Sequence, residues 1–296
     1  MAFRGVYPAP ELKPTPCGLL SVARVMSHTT ANYDERWVRG FSYEFDSYST
    51  IRLLTVNDDA VSGGELFDAD SEPNYLEYKP FFIESEVFQS TLGLPGEDRM
   101  AVALAQLEAA TQKALEKELW DGIAAQGASN GNNYLTKTGE PTIAAVGAYA
   151  AEAALFHLEQ AIANSPYGGN GVIHMTRDVA TILGSKIKFD EFDPLPGDRL
   201  GKLRTRLGTE VVVGSGYSGN GPIGNANATA SATNRWMFAT GPIDVHLSKP
   251  EIVNDTLSQG VNASINDITI KAVRAAAVYF DPSIHYAVRV AVPALS

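Results

Sequence analysis

The strongest periodic signal in the chain lies between residues 97 and 126. Met100, Leu104, Leu107, Thr111, Leu115, Leu119 and Ile123 recur every three or four positions, which places them in one largely apolar stripe on a helix. Leu94-Pro95-Gly96 punctuates the start of the run. Glu97 and Asp98 then put negative charge at the helix N-terminus, where the backbone dipole favours it. A helix of that length spans about 45 Å, longer than most globular helices, and predicts an element running the length of a thin domain.

A second helical pattern covers about 143–164, with Ala151, Leu155, Leu158 and Ile162 on one face. The Gly- and Asn-rich stretch 127–140 before it predicts a domain junction, and Ser165-Pro166-Tyr167-Gly168-Gly169 ends it. Next come a short strand at 172–175, Thr176 as an N-cap, and a helix closing at Gly184. A Pro- and charge-rich loop at 190–206 feeds strands at 210–213, 235–240 and 243–247. The C-terminus alternates strictly. Ile268, Ile270 and Ala272 on one segment, with Tyr286, Val288, Val290 and Val292 on the other, predict a long antiparallel hairpin.

The first ninety residues differ. Pro8, Pro10, Pro14 and Pro16 remove backbone donors and predict an irregular arm lying on other elements. Strands are expected at 49–56 and 75–84, the second interrupted by Pro80. Between and beside them sit Asp58, Asp59, Glu65, Asp68, Asp70, Glu72 and Glu77, with no Lys or Arg from Leu53 through Tyr78. So acidic a segment builds no core of its own and is expected to project as a long hairpin. The fold class is α+β.

Charge narrows the function. Lys plus Arg number 23 and Asp plus Glu 34, a net charge of −11, which argues against a protein dedicated to gripping nucleic acid or an anionic membrane. No stretch approaches the roughly 20 apolar residues of a spanning helix. The start, Met1-Ala-Phe-Arg-Gly-Val-Tyr-Pro, lacks a signal-peptide pattern, and Cys17 is the lone cysteine; a soluble intracellular product is expected.

The chemistry-bearing motifs are weak. Gly214-Ser215-Gly216-Tyr217-Ser218-Gly219 matches the dinucleotide fingerprint after a strand, but Asn220-Gly221-Pro222 follows where a helix must begin, so the prediction is a glycine turn. Asp68-Ala69-Asp70-Ser71-Glu72-Pro73 begins like a calcium loop but has Pro73 in place of the obligatory Gly and Lys79 in place of the bidentate Glu. The five histidines fall at no metal-ligand spacing, and no nucleophile elbow occurs. No catalytic residue, cofactor site or metal site is predicted. Against the acidic segment, Arg199, Lys202, Arg204 and Arg206 concentrate positive charge, which predicts contact between neighbouring copies through complementary patches.

The order of elements resembles the major capsid (head) protein of tailed, long-tailed bacteriophages. Three local stretches carry the resemblance: Tyr78-Lys79-Pro80-Phe81-Phe82-Ile83-Glu84 leading to the long helix that ends Glu116-Lys117-Glu118-Leu119-Trp120, Arg204-Thr205-Arg206-Leu207-Gly208-Thr209-Glu210 before the glycine turn, and Ala239-Thr240-Gly241-Pro242-Ile243-Asp244-Val245. The resemblance implies an N-terminal arm (1–40), an extended β-hairpin loop (41–92), a peripheral domain with a long spine helix (93–139), an axial domain (140–240) and a return to the peripheral domain (241–296). It further implies pentamers and hexamers closing an icosahedral head around double-stranded DNA, a portal at one vertex, only weak non-specific contact with the packaged DNA, and assembly with separate scaffolding and decoration proteins or with none. Crosslinking through a loop lysine, known in the family, is not expected, because the loop lacks a lysine from Leu53 through Tyr78. The alternatives are an encapsulin-like compartment and, from another class, a soluble ligand-binding protein.

Overall fold

The computed structural model describes residues 15–29, 37, 40–45, 74–90, 99–123, 134–165, 170–189, 201–253, 261–262 and 267–293. The expected strand at 49–56, the acidic carboxylates from Asp58 to Glu72, and Arg199 lie outside them. The structure is mixed α+β, built as two large sheets with a long helix between them and a separate two-stranded sheet.

The first sheet is organised around its longest strand, β14 (Asp267–Phe280). On one side β4 (Phe81–Ser90) pairs with it antiparallel from Phe81↔Ala276 to Ser90↔Asp267. On the other side β13 (Val261–Asn262), β12 (Glu251–Val253) and β11 (Ile243–Ser248) follow one another along its length. The arm ends in β1 (Arg24–His28), which adds parallel to β11. β2 (Phe41–Phe45) and β3 (Asn74–Tyr78) pair antiparallel as the base of the predicted hairpin. Lys79-Pro80 separates β3 from β4, at the interruption Pro80 predicts.

The long helix α1 (Arg99–Asp121) packs on β14 and β4. Ala103, Leu107, Leu115 and Leu119 are buried with Ile83, Val87, Ala272, Ala276 and Phe280. The predicted stripe is therefore real in its middle, while Met100 and Ile123 at its ends are exposed. The helix stops at Asp121 and not at 126. Gly122 has φ +61°, and a Cβ there would fall 2.4 Å from the Tyr134 ring. Leu135 and Thr136 then donate to the last carbonyls of α1, those of Leu119 and Trp120, at 2.9 and 3.1 Å.

The second sheet has the order β5-β15-β10-β6-β9-β8-β7. Its strands are β5 (Thr142–Ala150), β6 (Val172–Thr176), β7 (Ile187–Phe189), β8 (Leu203–Thr205), β9 (Glu210–Gly214), β10 (Asn234–Thr240) and β15 (His285–Ala291). One face, with Ile173, Met175, Val211, Val213, Met237, Val288 and Val290, is covered by α2 (Ala151–Ala163) and α3 (Arg177–Leu183). The alternate residues Val172, Val212, Trp236, Phe238 and Ala287 face the other way and share a core with α1. Both faces are buried, so these strands read as continuous apolar runs.

Three expectations need correction. Residues 143–150 form a strand, not the first half of a helix: Ile143, Val146 and Tyr149 suit a pleated edge, and parallel pairing with β15 outweighs the helix preference of the intervening alanines. The C-terminal segments do not form a hairpin, because β14 is filled on both sides within the first sheet while β15 inserts between β5 and β10 of the second. The predicted loop at 190–206 contains β8, which pairs with both β7 and β9. The turn from β6 into α3 occurs at Thr176 as predicted, but Thr176 makes no side-chain cap; its hydroxyl donates to Asp178, which itself accepts from the Val179 N–H at 2.9 Å.

Candidate assembly interface

The arm, the long helix and the glycine turn after β9 are tied together by a joint at the C-terminal half of α1. Glu116 is fully buried there. Its Oε1 accepts from the Leu19 N–H of the arm at 3.1 Å. Its Oε2 accepts from the Ser215 N–H at 2.7 Å, the Ser215 hydroxyl at 3.1 Å and the Gly216 N–H at 2.8 Å. The glycine turn after β9 thus cradles an anion, as glycine-rich turns do, but the anion is this chain's own carboxylate. Gly216 is needed for the approach, since a Cβ would lie 2.4 Å from the Lys113 carbonyl oxygen. One turn earlier, Gln112 donates to the Thr15 carbonyl at 2.8 Å, and the Cys17 carbonyl accepts from Val213 N–H at 2.9 Å. Arm, spine helix and second sheet therefore meet at one point. Neither Glu116 nor Gln112 stands out in the sequence; their only signal is a position flanking the apolar stripe.

Two further contacts seat the arm on the first sheet. Arg24 forms a two-point pair with Asp244, its Nε at 2.9 Å from Oδ1. His28 and His246 stack with ring nitrogens 2.8 Å apart, beside the rings of Trp37 and Phe41. Burial, with His28 next to it, pulls His246 down to about 4. Across the same sheet Arg274 reaches both oxygens of Glu108 on α1 at 3.0 Å and gives its Nε–H to the Ser248 carbonyl at 3.0 Å.

A buried polar chain crosses the second sheet. Thr240 donates its hydroxyl to the Gly241 carbonyl at 2.9 Å, so it accepts from His174 Nε2–H at 2.9 Å; His174 Nδ1 then accepts from the Tyr217 hydroxyl at 2.8 Å. Every member is satisfied with His174 neutral, and burial lowers His174 to about 3. His285, which donates to the Leu135 carbonyl at 3.3 Å, is lowered by burial to about 4. These histidines hold structure and do not converge on a site. Among the described residues no group of three His, Cys, Asp or Glu side chains is arranged to hold a metal ion.

Of the residues singled out for inter-copy contact, Lys202, Arg204 and Arg206 are described with their side chains. Lys202 and Arg204 both approach Glu210 Oε1, at 3.7 and 3.5 Å, across the β8–β9 hairpin, and Arg206 lies exposed at its turn. Lys202 and Arg204 thus converge on one carboxylate. Glu77 lies in β3 opposite Ser42. A cleft of about 680 Å³ opens beside the basic patch, lined by Arg204 and Glu210 from the second sheet and by Arg24, Asp244 and Asp281 from the arm and first-sheet side.

No protein-family model matches the chain, and no curated protein matches it in sequence. Solved structures do match in shape. The capsid of the native GTA particle is 13% identical, with 98% of this chain and 95% of that chain covered at a TM-score of 0.56. The capsid of Ralstonia phage GP4 is 12% identical, with 99% and 96% covered at 0.53. A chain of Mycobacterium phage Ogopogo is 12% identical, with 97% and 96% covered at 0.56. Likeness over the whole length of both partners, at an identity this low, identifies the architecture: this chain has the fold of the phage capsid proteins.

Proposed function

We propose that this chain is the major shell subunit of a tailed-phage head, assembling into pentamers and hexamers that enclose double-stranded DNA. The observation that carries the reading is the end-to-end likeness to capsid chains. The anchoring of the arm by Glu116, Arg24 and His28 supports it, since a shell subunit must hold its extensions in one register. The acidic balance fits a wall that grips its contents weakly. A portal, scaffolding protein and decoration protein are the partners this role implies, and the virion is its location.

Within that reading, the carboxylates Asp58, Asp59, Glu65, Asp68, Asp70, Glu72 and Glu77 of one copy meet Arg199, Lys202, Arg204 and Arg206 of the next. Exposed ion pairs add little individually, so the contact sets register more than affinity. Sedimentation of purified protein tests both levels. Wild-type protein is expected to sediment as large closed particles, and Arg204→Glu/Arg206→Glu as particles that dissociate at lower salt or denaturant. A wild-type chain that stays a monomer contradicts the shell role; undiminished stability of the double variant contradicts the charge contact.

A further inference from the structure

The arm and the root of the β2–β3 pair meet the first sheet at two histidines. Along the parallel ladder Met26 stands opposite His246, and His28, the last residue of β1, is two positions further on. The His28 and His246 rings stack at 12°, with His28 Nε2 2.8 Å from His246 Nδ1. The ring of Phe41, the first residue of β2, is centred 4.3 Å from that of His246 and 5.9 Å from that of His28. Trp37, 4% exposed, stands edge-on to His28 at 5.5 Å.

A nitrogen–nitrogen separation of 2.8 Å is a hydrogen bond, so one ring places a proton in the gap and the other a lone pair. Two imidazolium rings cannot keep that bond, because each would aim an N–H at the other and two like charges would be in contact. Among the described residues, the charged groups bearing on His246 are Asp244 of β11 and Arg24 of β1. Asp244 favours the cation, and Arg24, which pairs with Asp244, opposes it. β14 brings Ala277 opposite His246 and Tyr279 opposite Asp244, and Tyr279 meets Tyr78 of β3 edge-on. Phe41 and Trp37 add no charge. Burial, with His28 alongside, holds His246 down at about 4, so near neutral pH the second charge is refused.

We infer that this pair is a proton-operated latch: one shared proton holds β1 and the hairpin root on β11, and charging both rings releases them. The surrounding fold suits a local release. β1 is the outermost strand of its sheet and, among the described strands, pairs only with β11, through five residues. β2 and β3 form a sheet of their own, joined to the first sheet by contacts such as Phe41 on His246 and Tyr78 on Tyr279. Edge elements with few neighbours open at the least cost. A released histidine titrates near its ordinary value of about 6.5, so the latch is at full strength above that pH. It weakens as pH falls toward 4, by up to about tenfold per pH unit for one proton. The latch belongs to the single subunit and stands or falls apart from the shell reading.

Hydrogen exchange of the purified chain, read by mass spectrometry at pH 7 and pH 5 and corrected for intrinsic rates, tests the latch. Between the two, the β1 amides are expected to lose roughly tenfold more protection than those of β6 and β9. β6 and β9 report opening of the whole fold and carry the loss due to the buried His174. His28→Phe/His246→Phe keeps two stacked rings that take up no proton, and it is expected to lose the excess. His246→Gln keeps a hydrogen-bonding amide that does not titrate; it is expected to lose most of the excess and carries the test if the double variant fails to fold. A wild-type β1 that loses no more protection than β6 and β9 overturns the latch, as does an excess that survives in the folded variants.

Discussion

His174 shows how a single side chain can be held in one protonation state by the bonds around it. The Tyr217 and Thr240 hydroxyls fix the proton on Nε2, and a second proton on Nδ1 would confront the Tyr217 O–H inside a fully buried site. Its folded value of about 3, and about 4 for His285 and His246, lie below the 6.5 of an unfolded histidine. Above that value neither state binds the proton and these groups give no pH dependence. Below it the unfolded chain takes up protons the folded chain refuses, so stability falls as pH drops from about 6.5 toward 4. His174, which is fully buried, contributes up to roughly 1 kcal/mol per pH unit in that window. Denaturation of the subunit is expected to shift to markedly lower urea at pH 5 than at pH 7.5, and a midpoint unchanged between them would contradict the assignment.

At the scale of elements, the joint at Glu116 ties arm, helix and glycine turn together. Glu116→Leu leaves the buried Leu19 N–H without an acceptor, a cost of about 1–3 kcal/mol, and strips the half-buried Ser215 and Gly216 N–H groups of theirs at a smaller cost. Glu116→Gln keeps one acceptor oxygen and is expected to retain a substantial part of that stability. Equal stability of the two variants in chemical denaturation would show that the joint does not act through these bonds. The sequence discloses the elements better than their joints. The α1 stripe, the α2 face and the runs that became β9, β10 and β11 are legible because burial imposes period and composition. β5 was not, because an alanine-rich segment suits either a helix or an edge strand and only β15 decides between them. The separation of β14 from β15 escapes too, since alternation states that a strand exists and not which sheet receives it. Glu116 is silent for a related reason: its partners lie about a hundred positions away.

For the whole molecule, two sheets share one core through α1, and the described part of the arm bonds to α1 and adds a strand to the first sheet. Net charge keeps such a chain soluble and limits adhesion to a polyanion. The central claim, that this chain builds a closed container, is tested most directly by electron microscopy of the purified protein. Uniform closed shells whose surface resolves into fivefold and sixfold capsomers are the predicted result. A homogeneous 32 kDa monomer that forms no shells under any assembly condition would contradict it.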